Sequence, residues 1–341
     1  MIMLSKILLK TERVSVDSLK RTTGFVPPQT LDQALHDLEI LMGDYLSSAL
    51  PILRDVSMYL IQSGGKRIRP SFLFLTAQLF GPITKKHLQA AACLELIHTA
   101  TLFHDDIMDN GDIRRGLPAA HKVWSNDHSI LAGDFLMCSA LSLLTSIKDW
   151  NVAAIVQKTS TDLIQGQAME LFTDSPLSDF EPHYFNIIHF KTAALFETAT
   201  SLVGYLNQTD EGTKNSLSTF GRNIGTYFQI MDDVKDYTAT QKALGKKVGQ
   251  DFYERKITLP IILAHQRSDN DQKLRIESLF QNPSEKGLGE ILDILEESSA
   301  LTTATSIAND YKEKALAELE KLPSKPETQR QLVDTIQSIA K

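Results

Sequence analysis

Apolar residues recur at intervals of three and four along most of this chain. The segments LDQALHDLEILMGDYLSSAL (31–50), KKHLQAAACLELIHTATLFHDD (85–106), AAIVQKTSTDLIQGQAMELF (153–172), HYFNIIHFKTAALFETATSLVGYL (183–206) and KNSLSTFGRNIGTYFQIMDDVKDY (214–237) all carry this helical period. Strand-like alternation is scarce. Gly and Pro punctuate the chain at 63–70 (SGGKRIRP), 80–82 (FGP), 114–120 (RRGLPAA), 174–182 (DSPLSDFEP) and 244–251 (LGKKVGQD). The pattern predicts ten or more helices joined by short loops, an all-α fold. No Pro-, Gly- or Ser-rich linker and no solenoid period divides it. Residues 30–341 therefore read as one helical domain behind an N-terminal extension, 1–29. Beyond about residue 265 the chain turns more polar but keeps its helical period, as supporting structure does.

Composition narrows the classes. A chain of 341 residues with 42% hydrophobic content can bury a large core. The net charge of −7 argues against sequence-independent nucleic-acid binding, which needs a basic face. Cys93 and Cys138 lie in apolar helical patterns and read as core thiols of a cytoplasmic protein. The opening MIMLSKILLK is interrupted by Lys6 and Lys10 and lacks a signal-peptide core. No run reads as long enough to span a membrane.

Charge is concentrated at two places. In HTATLFHDDIMDNGDIRRG, Asp105 and Asp109 are one helical turn apart on one face, with Asp106 beside them. FQIMDDVKD repeats the arrangement with Asp232, Asp233 and Asp236. With aspartate at ~6% of residues, DDxxD arises by chance about 0.07 times in such a chain, and twice with a probability of roughly 0.3%. Carboxylates this close repel one another unless cations neutralise them, and hard oxygen ligands suit Mg²⁺ or Ca²⁺. Mg²⁺ bound by few carboxylates completes its octahedron with water and phosphate oxygens, so a diphosphate is the natural third party.

Other metal and phosphate motifs fail on spacing. An EF-hand starting at Asp106 meets Met108 and Leu117 where it needs an oxygen ligand and a glutamate. The GGK at 64–66 has Leu60 in place of the first P-loop glycine and Arg67 in place of Ser or Thr. The nine histidines include no HExxH. Basic residues cluster instead at loop positions: Lys66, Arg67 and Arg69, then Arg114 and Arg115, with Lys191, Lys246 and Lys256 singly. The arginine fork matches phosphate oxygens in pairs, which suggests two anion sites, one reached through metal and one held directly.

Together GGKRIRP, LIHTATLFHDDIMDNGDIRRG, FKTAALFE, FQIMDDVKD and ERKITLP resemble the all-trans polyprenyl diphosphate synthases, from about residue 30 to at least 265. The resemblance implies a single-domain orthogonal helix bundle around a deep central cavity, acting as a homodimer. It implies head-to-tail condensation of isopentenyl diphosphate with an allylic diphosphate. Asp105, Asp106, Asp109, Asp232, Asp233 and Asp236 would hold Mg²⁺, three ions per site, with Mn²⁺ able to substitute. Arg114, Lys191, Lys246 and Lys256 would grip the allylic diphosphate, while the Thr192 hydroxyl and Gln229 amide oxygen would face the allylic cation. Lys66, Arg69, His98 and Arg115 would hold isopentenyl diphosphate, and released diphosphate would accept the proton. Ala100 and Thr101, small residues one turn before Asp105, would let the product grow to heptaprenyl–decaprenyl length, a quinone side-chain precursor that partitions into membranes. Met137, Leu141 and Leu144 are candidates for the tunnel floor. A geranylgeranyl or farnesyl synthase is the alternative; a terpene cyclase or noncatalytic partner subunit fits less well, because both DDxxD motifs are intact. The chain departs from the family at Arg255, where glycine usually precedes the lysine of the GKITLP stretch.

Overall fold

The structure is a computed structural model and describes residues 25–47, 50–173, 175–238 and 248–340. Most of the expected N-terminal extension, and Lys246, lie outside the described residues. Within them the chain forms sixteen α-helices and one two-residue-stranded hairpin. The first six helices are α1 (Leu31–Leu46), α2 (Pro51–Gln62), α3 (Ile68–Phe80), α4 (Lys85–Met108), α5 (Ala120–Val123) and α6 (Asn126–Ile147). Then come α7 (Trp150–Phe172), α8 (Glu181–Ile188), α9 (Ala194–Leu206), α10 (Glu211–Thr238) and α11 (Gln250–Tyr253). The chain closes with α12 (Leu259–Arg267), α13 (Asn270–Gln281), α14 (Glu285–Glu297), α15 (Ala300–Leu319) and α16 (Pro326–Ala340).

Thr30 and Thr84 start α1 and α4 with reciprocal capping boxes, to Gln33 and His87. Two adjoining apolar cores fill the bundle, and α3 and α9 serve both. Phe72 and Leu75 of α3 enter one core while Leu73 and Phe74 enter the other; Phe196 and Leu202 of α9 divide the same way. Helices apolar all round belong between two packed layers. Phe72 meets Phe196 and Phe220 edge-on at 5.9 and 6.1 Å, joining α3, α9 and α10 in the geometry that favours ring quadrupoles.

The structure departs from three expectations. Helix α3 begins at Ile68, inside the stretch read as a loop to Pro70; a proline in the first helical turn removes only a donor that is unpaired there anyway. Cys138 is exposed, while Cys93 is buried with its thiol pushed up to about 12 by burial. Helix α6 is long and apolar enough to cross a membrane by length and composition. Its buried face packs on α4, while Ile130, Leu131 and Leu141 stay exposed.

Candidate active site

Helix α4 is buried from His87 to Ile97, and beyond that, with His104 and Ile107 accessible on other faces, His98, Thr101, Leu102 and Asp105 stay partly accessible. Their spacing of three and four makes a single stripe, which marks one wall of a cleft inside the bundle. On α10 the accessible residues near the second acidic motif are Phe228, Gln229, Asp232 and Lys235, again one stripe. A surface pocket of about 520 Å³ between Val26, Pro28, Asp32 and Asp37 lies apart from both motifs and carries no convergent chemistry.

The first acidic motif divides between cleft and core. Asp106 is buried and takes both Nε and Nη2 of Arg114 on one oxygen, at 2.7 and 2.5 Å. Burial would lower the Arg114 pKa, but Asp106, Asp105 and Asp109 outweigh it and raise it. Asp109 caps α4 and accepts from Lys256 at 2.9 Å. Burial raises the Asp105 pKa; Lys191 opposes this, while Asp109 and Glu170 add to it. A hairpin, Ile113–Arg114 paired with Leu117–Pro118, aims the two arginines in different directions. Its two-residue turn places Arg115 at φ 53° and Gly116 at φ 76°, the left-handed pair that a tight hairpin requires.

The second motif divides likewise. Asp232 lies on the cleft stripe, but Asp233 and Asp236 are buried. Asp233 accepts from the Tyr184 hydroxyl at 2.6 Å and from Gln229 Nε2 at 2.8 Å, and Asp236 accepts from the Asp251 backbone N–H at 2.9 Å. Burial and Asp251 push the Asp233 carboxyl well up, partly offset by its two hydrogen bonds. Among the described residues no three carboxylates, imidazoles or thiolates sit together as a ready-made metal site.

Lys191 and Thr192 sit in a π-helical turn, His189–Ala193, the kind of local bulge often found at functional sites. Lys191 pairs with Glu170, and the Thr192 hydroxyl donates to Gln229 Oε1 at 2.7 Å. Glu170 and Glu254, which accepts from Lys256 at 2.8 Å, are cleft carboxylates that the sequence reading missed. Burial would lower the Lys256 pKa, but Glu170, Asp109 and Glu254 raise it far above its ordinary value. Arg255 takes φ 59°, the conformation open to the glycine usual there, so the backbone turn before Lys256 survives the substitution.

The second basic group gathers around the Gly64–Gly65 loop. Arg115 donates to Leu60 O at 2.9 Å and to Gly64 O, and a side chain at Gly65 would meet its guanidinium at 3.1 Å. Arg67 is buried between Glu39 and Glu95, at 2.6 and 2.7 Å, and is a strut of the loop. Lys66 is exposed; Arg69 is half-buried over the Phe196 ring, 4.9 Å from its centroid. Burial lowers Arg69 to about 10. Burial, Arg69 and Arg115 hold His98 well below its ordinary value, so its imidazole is neutral at pH 7. Of the two residues expected to set product length, Thr101 lies on the cleft stripe and Ala100 is fully buried in the core shared with α6. Leu141 is exposed and cannot form an interior floor; Met137 and Leu144 remain.

The polyprenyl synthetase family profile matches residues 50–299. This chain belongs to the polyprenyl synthetase family. By that membership it is a trans-prenyltransferase with the all-α isoprenoid synthase fold. The octaprenyl diphosphate synthase of Haemophilus influenzae is 34% identical over 279 residues, 82% of this chain and 85% of that one. A short chain isoprenyl diphosphate synthase of Methanothermobacter thermautotrophicus is 36% identical over 270 residues, covering 78% and 83%. Among solved structures, a Caulobacter crescentus polyprenyl synthase complexed with calcium and isoprenyl diphosphate has a TM-score of 0.85 and 31% identity, covering 91% of this chain and 95% of that one. The carboxylates of this chain suit a divalent cation: Asp105, Asp109 and Asp232 offer hard oxygens on the cleft, and burial, with Asp109 and Glu170 nearby, makes the negative charge on Asp105 costly without one.

Proposed function

We propose that this enzyme is a long-chain trans-polyprenyl diphosphate synthase, Mg²⁺-dependent, making heptaprenyl to decaprenyl diphosphate from isopentenyl diphosphate and an allylic primer. It acts as a cytoplasmic homodimer, and its product partitions into membranes. The observation that carries the reading is the α4 stripe: the small Thr101 sits one turn from Asp105 on the same cleft face, so a tail growing away from the aspartates meets no large ring there. Exposed Leu131 and Leu141 on α6 supply an apolar face for a second copy.

A divalent cation, when bound, neutralises the diphosphate and eases its departure. Asp105, Asp109 and Asp232 are the residues that would hold it. The chain's own groups do the rest. Lys191 and Lys256 now pair with Glu170 and Asp109 across the cleft; when a diphosphate enters, both ammonium groups face its oxygens and stabilise the charge that grows on departure. Arg114 is held ready by Asp106. The Thr192 and Gln229 oxygens turn negative dipole ends toward the allylic cation without offering a strong nucleophile. Lys66, Arg69, Arg115 and the neutral His98 hold isopentenyl diphosphate, and the departed diphosphate takes the proton.

A geranylgeranyl-length product is the second reading, favoured by the buried position of Ala100 and the 36% identity to a short-chain synthase. Metal dependence tests the reading's chemistry. Isopentenyl diphosphate consumption should stop on chelation and return with Mg²⁺ or Mn²⁺; undiminished turnover in chelator contradicts it.

A further inference from the structure

We propose that Asp233 is a positioning residue for the Thr192–Gln229 pair, and not a ligand of the metal. Three hydrogen bonds run in series from the buried Tyr184 to the π-turn. The Tyr184 hydroxyl donates to Asp233 Oδ2 at 2.6 Å, Gln229 Nε2 donates to Asp233 Oδ1 at 2.8 Å, and Thr192 Oγ1 donates to Gln229 Oε1 at 2.7 Å. Both carboxylate oxygens of Asp233 are thus engaged by protein donors in the bundle interior, whereas Asp232, the next residue, is exposed on the cleft side.

The series fixes a sign. An amide has a donor end and an acceptor end of nearly equal shape, and its orientation is decided by its partners. Turned over, Gln229 would set its oxygen against the Asp233 carboxylate and its NH₂ beside Thr192 and the cleft. Asp233 in its ionised form excludes that orientation, taking Gln229 Nε2 on its Oδ1 as the structure shows. It keeps the oxygen end, the negative end of the dipole, beside Thr192, where the proposed function needs it to face a developing allylic cation. Glycines hold the two helices at the required distance: a side chain at Gly225 would lie 2.5 Å from Ala193 Cα, and one at Gly221 would lie 2.5 Å from Phe196 O. The inference rests on the prenyl-transfer reading, and product length has no part in it.

The test compares Asp233→Asn, Tyr184→Phe and Asp232→Asn, with Gln229→Leu as the background for a double-mutant cycle. Mn²⁺ binding in the presence of inorganic diphosphate, followed by calorimetry, needs no turnover. Asp232→Asn should weaken it at least about tenfold, while Asp233→Asn and Tyr184→Phe should stay within about twofold of wild type, because neither removes a cleft ligand. In the first condensation Asp233→Asn should lower kcat about tenfold with both KM values little changed, and Tyr184→Phe should lower it less. In the Gln229→Leu background, Asp233→Asn should change kcat by less than about threefold, since its effect passes through the absent amide. Loss of Mn²⁺ binding in Asp233→Asn equal to that in Asp232→Asn overturns the inference, and so do independent, multiplicative effects of Asp233 and Gln229. Failure of the prenyl-transfer reading would show separately, as a wild type that binds Mn²⁺ and diphosphate yet forms no carbon–carbon bond.

Discussion

Gly225 touches no substrate in this account, yet its replacement by alanine should cripple turnover. A Cβ there would lie 2.5 Å from Ala193 Cα and 3.0 Å from Ala193 Cβ, and the first of these neighbours is backbone that cannot swing aside. Restoring ordinary contact at 3.4 Å requires α10 and the π-turn to part by roughly 0.9 Å. The 2.7 Å bond from Thr192 to Gln229 spans that same junction, and stretched by that amount it passes beyond hydrogen-bonding distance. Overpacking of this kind costs about 1–3 kcal/mol. Replacing glycine by alanine in a helix returns about 1 kcal/mol, so the net loss of stability should be about 0–2 kcal/mol. Catalysis should suffer more, because a misplacement near 1 Å can reduce rate about a hundredfold. The assays are thermal unfolding and the rate of the first condensation, with Gly43→Ala as control. Gly43, on α1, has open space where a Cβ would stand, so its variant should gain up to about 1 kcal/mol and keep full activity. Wild-type turnover in Gly225→Ala would refute the claim that the π-turn and α10 must meet this closely.

Two of the three cleft aspartates, one from each motif, should prove functional and unneeded for folding: Asp105→Asn and Asp232→Ala should each lower turnover by orders of magnitude with helical circular dichroism intact. Because burial raises the Asp105 pKa in the fold, its contribution to stability is present below the unfolded carboxylate value of about 3.9 and is lost as pH rises through the folded one. Metal-free Asp105→Asn should therefore melt higher than wild type at neutral pH, and an equal or lower midpoint there contradicts the assignment. Lys66→Ala or Arg69→Ala should raise KM for isopentenyl diphosphate above all, and Lys191→Ala that for the allylic substrate, by about 1.5–3 kcal/mol per lost charge-assisted contact; equal effects on both substrates would show the basic residues wrongly divided. Thr101→Phe should shorten the product by several isoprene units while sparing the first condensation, and Ala100→Phe, forced into a filled core, should lower the melting midpoint by overpacking. Unchanged product length in Thr101→Phe sinks the tunnel argument.

Helix identity was legible because a helix must bury its apolar positions at three and four, and α1, α4, α7 and α10 follow from that period alone. The rotation of each helix was not. Asp105 and Asp109 share the cleft face as their spacing predicts, but Asp232 and Asp236 have the same spacing and part company. Asp236 is covered where the chain around Gly249 and Asp251 folds back over the end of α10, bonding the Asp236 carbonyl and carboxylate. Rotation depends on long-range packing, which a local motif does not encode. Glu170 and Glu254 escaped notice because a lone carboxylate makes no pattern. The available signal was indirect: Lys191 and Lys256, partly buried cations beside acidic helices, need counter-charges. Within GGKRIRP the three cations looked equivalent, yet only a tertiary partner such as Glu95, 28 residues away, separates the buried Arg67 from the cleft group. At Arg255 the sequence raised the right question, and the backbone angle answers it.

The most direct test of the central claim is the length of the product. Purified protein, Mg²⁺, labelled isopentenyl diphosphate and, in separate reactions, geranyl, farnesyl and geranylgeranyl diphosphate should yield all-trans chains of heptaprenyl to decaprenyl length from at least one primer. A product that stops at geranylgeranyl or farnesyl diphosphate with every primer would contradict the long-chain assignment while leaving prenyl transfer in place.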